Sequence, residues 1–191
     1  MVAATVVVKE LNGAAGSQTY TTCASTATSY FRVSDAHGNS TPSYKIPIPS
    51  AGLNYSYWKH YCAEVTANAS SNTLDNWKFY LSNYAAWTAK LGSSGAVKAG
   101  TSSGSYGIPI SDYVRSVGEA GSNGWCGKEL TANHTNIDAV ANAPTAAQEY
   151  DNRQITSTGS TNCFVLQLHI DTDATFGTLG ELAGHIQYDE S

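Results

Sequence analysis

Alternation of apolar and polar positions at period two is the strongest regularity along this chain. It is clearest in "FVLQLHI", where Phe164, Leu166, Leu168 and Ile170 fall on one side and Val165, Gln167 and His169 on the other. Side chains on a strand point alternately to its two faces, so this run predicts a strand with one strongly apolar face. "WKFYLSN" repeats the pattern, with Trp77, Phe79 and Leu81 inward and Lys78, Tyr80 and Ser82 outward. Two such faces are what a sandwich core needs, and they are expected to pack on each other. "YSYWKHYCAEVTA" places Tyr57, Lys59, Tyr61, Ala63 and Val65 on one face and Trp58, His60, Cys62 and Glu64 on the other. Aromatic residues on both faces predict an interior strand. After the connection "DTDATFGTLGE", Leu182, Gly184, Ile186 and Tyr188 form a last inward face that closes the fold.

Weaker signals fill the remainder. "ATVVVKEL" is β-branched and reads as a first strand, "TYTTCAS" as a second, and "SYFRVSD" alternates. "GAAGS" and "AHGNSTP" turn the chain between them. "YKIPIP" carries two prolines and is expected to be an edge or extended segment. From Lys90 to Asn162 periodicity fades into Gly- and Ser-rich stretches, with room for one short helix in "NHTNIDAVANAPTAAQEYDN" that stops near Pro144. Seven or eight strands are expected in all. The expected fold is all-β: one antiparallel β-sandwich over residues 1–191, jelly-roll or immunoglobulin-like, with long loops, at most a short helix and a loop-rich insertion at about 90–162.

Composition supports this architecture. Charged residues make up 13% of the chain, about half the usual share of roughly 25%. With 12 Tyr and 4 Trp, aromatic rings are the large packing units. The net charge of −5 and the scattering of 10 basic residues argue against a nucleic-acid partner. No stretch is long and apolar enough for a membrane span. The start "MVAATVVVKEL" lacks the basic and long apolar regions of a secretory leader, so the expectation is either a protein made and used without secretion or a leader removed ahead of Met1.

Candidate chemistry is sparse. Cys23, Cys62, Cys126 and Cys163 form no CxxC and show no zinc spacing; four free thiols and two disulfides, in any of three connectivities, both remain open. "GTSSG" around Ser102 matches G-x-S-x-G, but it has no strand before it and no helix after it, so a Gly/Ser loop is the plainer reading. Asp171 and Asp173, with Glu181 or with Glu149 and Asp151, offer oxygens for Ca²⁺ or a carboxylate pair for glycoside hydrolysis. Against this, Asp at a strand end commonly bonds nearby backbone N–H groups. His37, His60, His134, His169 and His185 are dispersed, and read as exposed or hydrogen-bonded sheet residues. Trp58, Trp77, Trp87 and Trp125 would serve a sugar-stacking platform or, more plainly, the core. Asn39, Asn54, Asn68 and Asn133 head Asn-x-Ser/Thr triplets at a frequency this composition gives by chance. No catalytic, cofactor-binding or metal-binding residue is assigned, and no cofactor is expected.

"VLQLHIDTDATFGTLGELAGHIQYDES", "NYSYWK" and "NTLDNWKFYLSN" resemble the closing and mid-chain strands of a diffuse group of β-rich virion proteins of tailed phages and prophages. The likeness covers the first strand, the middle pair and the last pair, and not Lys90 to Asn162. It implies a non-enzymatic structural protein such as a capsid decoration or surface component. Such a protein would be made in the host cytoplasm without a leader, reside in the virion, contact the major capsid protein or another particle lattice, and be present as a homo-oligomer or in many copies. A carbohydrate-binding or adhesin module and a small β-sandwich hydrolase are the alternatives.

Overall fold

The computed structural model describes residues 3–12, 19–23, 46–82, 84–100, 149–177, 179 and 183–191. Its elements in chain order are β1 (Thr5–Asn12), β2 (Thr19–Cys23), β3 (Asn54–Tyr55), β4 (Lys59–Ala67), β5 (Leu74–Ser82), α1 (Tyr84–Leu91), β6 (Ala96–Gly100), β7 (Glu149–Asp151), β8 (Gly159–Ser160), β9 (Phe164–Ile170) and β10 (Ala183–Glu190). The strands make two antiparallel sheets. The larger runs β2-β1-β4-β9-β3, with β6 also paired to β9 and β8 to β4; the smaller runs β10-β5-β7. The protein is therefore an all-β, sandwich-like fold. It has ten strands among the described residues because β3, β7 and β8 are only two or three residues long and leave no periodicity to read.

The two strongest period-2 faces meet in the core. Phe164, Leu166, Leu168 and Ile170 of β9 share one buried cluster with Trp77, Phe79 and Leu81 of β5. The Phe79 and Phe164 rings stack at 4.0 Å between centroids, Tyr61 stacks on Phe164 from β4 at 5.6 Å, and Tyr150 of β7 meets it edge-on at 5.0 Å. On β10, Ile186 and Tyr188 pack inward as expected, with Tyr188 4.8 Å from Trp77. Gly184 faces Leu81, where a Cβ would stand 3.1 Å from the Phe79 ring, so the absent side chain makes room for that ring.

The run expected as one strand over residues 55–67 breaks at 56–58. Asn54 pairs with Ile170 and Tyr55 with His169, whereas Lys59 pairs with Leu166. The ladder has slipped by one residue, as at a β-bulge. Ser56 repairs it: its N–H donates to the Leu168 carbonyl, and its Oγ accepts from the Leu168 N–H, both at 2.9 Å. A second slip lies between the β4–β9 and β4–β8 pairings. There Thr161 N–H donates to the Ala63 carbonyl at 2.9 Å and Thr161 Oγ1 accepts from the Ala63 N–H at 2.9 Å.

The opposite face of the large sheet is buried too. Leu11, Cys62 and Cys163 form a second apolar cluster there. On the same face of β9, Val165, Gln167 and His169 are also buried. Thus His60 and His169 are not exposed, because β4 and β9 are interior strands covered on both sides. His169 Nε2 lies 2.9 Å from Gln167 Oε1, while Gln167 Nε2 donates to the Ser56 carbonyl at 2.8 Å. The Gln167 amide oxygen needs a donor, which fixes His169 as the neutral Nε2–H tautomer. The Tyr55 ring meets His169 edge-on at 4.7 Å. His185 on β10 is half-buried and stacks on Tyr80 at 4.6 Å. His37 and His134 lie outside the described residues.

Among the described residues one ion pair is fully buried: Lys59 Nζ donates to Glu10 Oε1 at 2.6 Å. Removing one partner would strand a charge in the interior. The expected loop-rich span at about 90–162 holds β6, β7 and β8, while residues 101–148, with the anticipated short helix and Ser102, lie outside the described residues.

Two outcomes follow from this packing. Leu168→Asp places an uncompensated charge between the sheets and should unfold the domain, whereas Leu168→Ala should fold with a loss of about 2–5 kcal/mol. Denaturant titration distinguishes them, and a Leu168→Asp transition at the parental midpoint would show that this face is not buried. The second concerns pH. Burial, with Lys98 adding to it, lowers the His169 pKa from 6.5 to about 4. The unfolded chain therefore binds a proton that the folded one refuses, so stability should fall as pH drops from 6.5 towards 4 and level off below that. The loss is of the order of 3 kcal/mol. Urea midpoints for the parent and His169→Gln across that window test it; an equal slope in both would assign the effect elsewhere.

Candidate functional site

The most distinctive surface feature begins where α1 ends. "YAAWTAKL" combines good helix formers with Trp87 and Leu91 one turn apart, and both are buried in the core. Gly92 follows with φ of 92°, a conformation that favours glycine, and stops the helix. The last carbonyls of a helix lack partners within it. Here they find them on the chain just beyond β9: Asp171 N–H donates to the Leu91 carbonyl at 2.9 Å and Thr175 N–H to the Lys90 carbonyl at 3.0 Å.

The bonding is reciprocal. Ser94 N–H donates to Asp171 Oδ2 and Ser93 N–H to Asp173 Oδ1, each at 2.9 Å, and the Ser93 hydroxyl reaches Asp171 Oδ2 at 3.3 Å. Asp171 Oδ1 accepts from its neighbour Thr172 N–H at 2.6 Å. The N–H bonds of Thr172 and then Ser94 hold the Asp171 carboxyl below its ordinary pKa. No side chain fits at Gly92, because its Cβ would fall on the side chains of Asp171 and Asp173.

This brace presents one side chain. Phe176 is 91% exposed, and it follows directly on Thr175. Ala174 before it and Leu179 after it pack against the core. Gly177, with φ of 137°, turns the chain immediately beyond. The backbone on both sides of Phe176 is therefore anchored while the ring stands in water. Such an arrangement is suited to binding an apolar pocket, since a ring on a pre-ordered loop loses little freedom on binding.

The sequence-derived candidates lie elsewhere or are otherwise engaged. Asp171 and Asp173 do bond backbone N–H groups, but those of a turn some eighty residues earlier as well as their own. Asp151 is buried and holds Arg153 through Nε and Nη2 at 2.9 and 2.7 Å, and it also accepts from Asn162 N–H. Glu149 opens β7, and Glu181 lies outside the described residues. Among the described residues no three His, Cys, Asp or Glu side chains converge as metal ligands would. Trp77 and Trp87 are core residues, and Trp58 is half-buried beside His60 at 6.2 Å. Trp125, Asn39 and Asn133 fall outside the described residues, Asn54 is buried, and Asn68 spans its turn by bonding the Asn72 backbone twice. The sequence did carry a signal for Phe176: a lone large apolar residue among small and turn-forming ones in "TDATFGTLG".

Comparison with protein-family models, curated proteins and solved structures finds no match to this chain. Among the described residues no helix is long and apolar enough to cross a membrane.

The brace is testable by itself. Asp171→Ala should raise amide hydrogen exchange at Ser93 and Ser94 by about tenfold, the equivalent of roughly one lost hydrogen bond, while leaving the core amides protected. Because the carboxyl pKa is depressed, the same release should occur in the parent only in acid, as pH falls through that lowered value. Unchanged exchange at both serines would show that the carboxylate does not hold the turn.

Proposed function

We propose that this chain is a non-enzymatic structural protein of a virion, a decoration or other surface component, which docks through Phe176 on the major capsid protein or another particle lattice in many copies. The observation that carries the docking is the braced loop with Phe176 at 91% exposure. Aromatic residues dominate the centres of protein interfaces, where they enter dry pockets ringed by near-neutral contacts. The kind of partner comes from the resemblance of "VLQLHIDTDATFGTLGELAGHIQYDES", "NYSYWK" and "NTLDNWKFYLSN" to virion strands. The low charge content fits a protein held by packing and shape. The carboxylates weighed for hydrolysis at Asp151, Asp171 and Asp173 are engaged in holding backbone and Arg153, which favours a structural role for them.

Sedimentation with particles stripped of this protein tests the reading. The parent should pellet with the particles at micromolar concentration. Phe176→Ser should keep the parental melting temperature, because the side chain has no core contact to lose, yet bind about thirtyfold more weakly. Equal pelleting of parent and variant would remove Phe176 from the interface. A parent that stays in the supernatant, while binding a glycan array or turning over a glycoside, would replace the virion reading with one of the alternatives.

A further inference from the structure

We infer that Cys62 and Cys163 are a cross-strand pair that closes to an intrachain disulfide when the protein meets an oxidising disulfide. The inference is independent of the function proposed above. It rests first on register. Lys59, His60 and Tyr61 of β4 face Leu166, Val165 and Phe164 of β9. Ala63 already faces Thr161, so between these pairings Cys62 stands opposite Cys163 and Asn162 together. The two residues also touch, forming with Leu11 a buried cluster on the outer face of the large sheet.

The hydrogen bonding fixes which kind of pair this is. Ala63 directs its N–H and carbonyl towards Thr161, on the side of the strand that faces β8 and β9. Adjacent residues of a strand direct these groups to opposite sides, so those of Cys62 point to β1, where Cys62 is paired with Lys9. Cys62 and Cys163 therefore occupy a non-hydrogen-bonded position, where facing Cα atoms stand about 4.5 Å apart and side chains come closest. A disulfide accepts Cα separations of about 4.4–6.8 Å, a range that includes facing residues of neighbouring strands, and the two side chains already share one buried cluster. The second slip of the ladder falls at this position, where the extra residue of the partner strand is Asn162 or Cys163.

The folded pair is protected from random oxidation. Both cysteines are fully buried. A hydrogen bond with Cys62, and then burial, hold the Cys163 thiol far above the ordinary thiol value. Exchange requires a thiolate, so the bond forms as the chain folds or when the sheet opens locally. In the first step one cysteine thiolate attacks a low-molecular-weight disulfide, RSSR, and expels one RS⁻. In the second, the other cysteine thiolate displaces the remaining RS⁻ from the mixed disulfide. The protein thiols are oxidised, RSSR is reduced to two RSH, and the two cysteine protons end on the departing thiolates. Cys23, whose pKa is pushed up to about 11 by burial and then by Glu10, lies on β2 opposite Val8 and takes no part.

The test is refolding of the full chain from denaturant in a mixture of oxidised and reduced glutathione, with non-reducing peptide mapping. A peptide pair joining Cys62 to Cys163 is expected. The bond encloses about 100 residues, so the oxidised protein should melt roughly 5–15 °C above the same sample treated with dithiothreitol. Mapping the parent makes the test independent of whether variants fold. The Cys23→Ala variant should keep both the cross-link and the shift. Recovery of Cys62 and Cys163 as free, alkylated thiols from soluble refolded protein, or of either one joined to Cys23 or Cys126, overturns the inference.

Discussion

The stack of Phe79 on Phe164 is the contact on which the two sheets depend. Phe164 sits where the large sheet turns its most apolar face to the small one, and it touches aromatic rings from β4, β5 and β7 at once. A chain with 13% charged residues and much of its apolar content in alanine has few Leu or Ile to spare for filling a sandwich interior. Rings fill it instead. Each buries a large area with only two torsions to order, and offset ring pairs add about 0.5–1.5 kcal/mol beyond burial. This also explains Gly184. The Phe79 ring leans over the neighbouring strand β10 of its own sheet, and an alanine at Gly184 would already crowd it.

With both faces of β4 and β9 buried, every polar group on those strands has to be satisfied inside the protein. Ser56 and Thr161 show how. At each slip of the ladder a backbone N–H would be stranded, and at each a hydroxyl oxygen takes the place of the missing carbonyl. Gln167 and His169 satisfy one another and the Ser56 carbonyl. Glu10 and Lys59 neutralise one another. At the far end of the small sheet Glu190 accepts from the Ala4 N–H and the Asn72 amide, which ties the entry to β1 to the exit of β10. These polar residues are parts of the ladder and of the packing around it.

Most of the sheet architecture was legible because a half-buried strand writes its faces into the sequence at period two. The faces at 77–81, 164–170 and 184–188 lie as read, and the first two do pack on each other. What was not legible has physical causes. The break at 56–58 is a one-residue slip, which leaves the alternation on either side intact and so leaves no mark. The burial of His60, Gln167 and His169 depends on what covers the second face of the large sheet, and one strand's pattern cannot report that. Helix α1 is a two-turn segment whose signals, three alanines and a following glycine, are weak without its docking residues Trp87 and Leu91. For the site, residue chemistry drew attention to Asp171 and Asp173. Their role as braces needs the turn at 92–95, far away in sequence. Phe176 stands outside the alternation, because a single aromatic in a connection has no periodic partner.

The brace and the closing strand together explain why the connection between β9 and β10 can carry an exposed ring. A long loop ordinarily moves, and ordering it on binding costs free energy that the contact must supply. Here the order comes from folding. One end leaves β9, a strand buried along its whole length, and is held at once by α1's carbonyls and the serine turn. The other end enters β10, which is secured along β5 and finishes with Ser191 exchanging both backbone bonds with Thr73. The same ties limit what the loop can be used for. From Asp171 to Thr175 the backbone is tied to α1 and the serine turn, which restrains the torsions that a hinged movement would need. It can hold a side chain at a constant position relative to the sandwich.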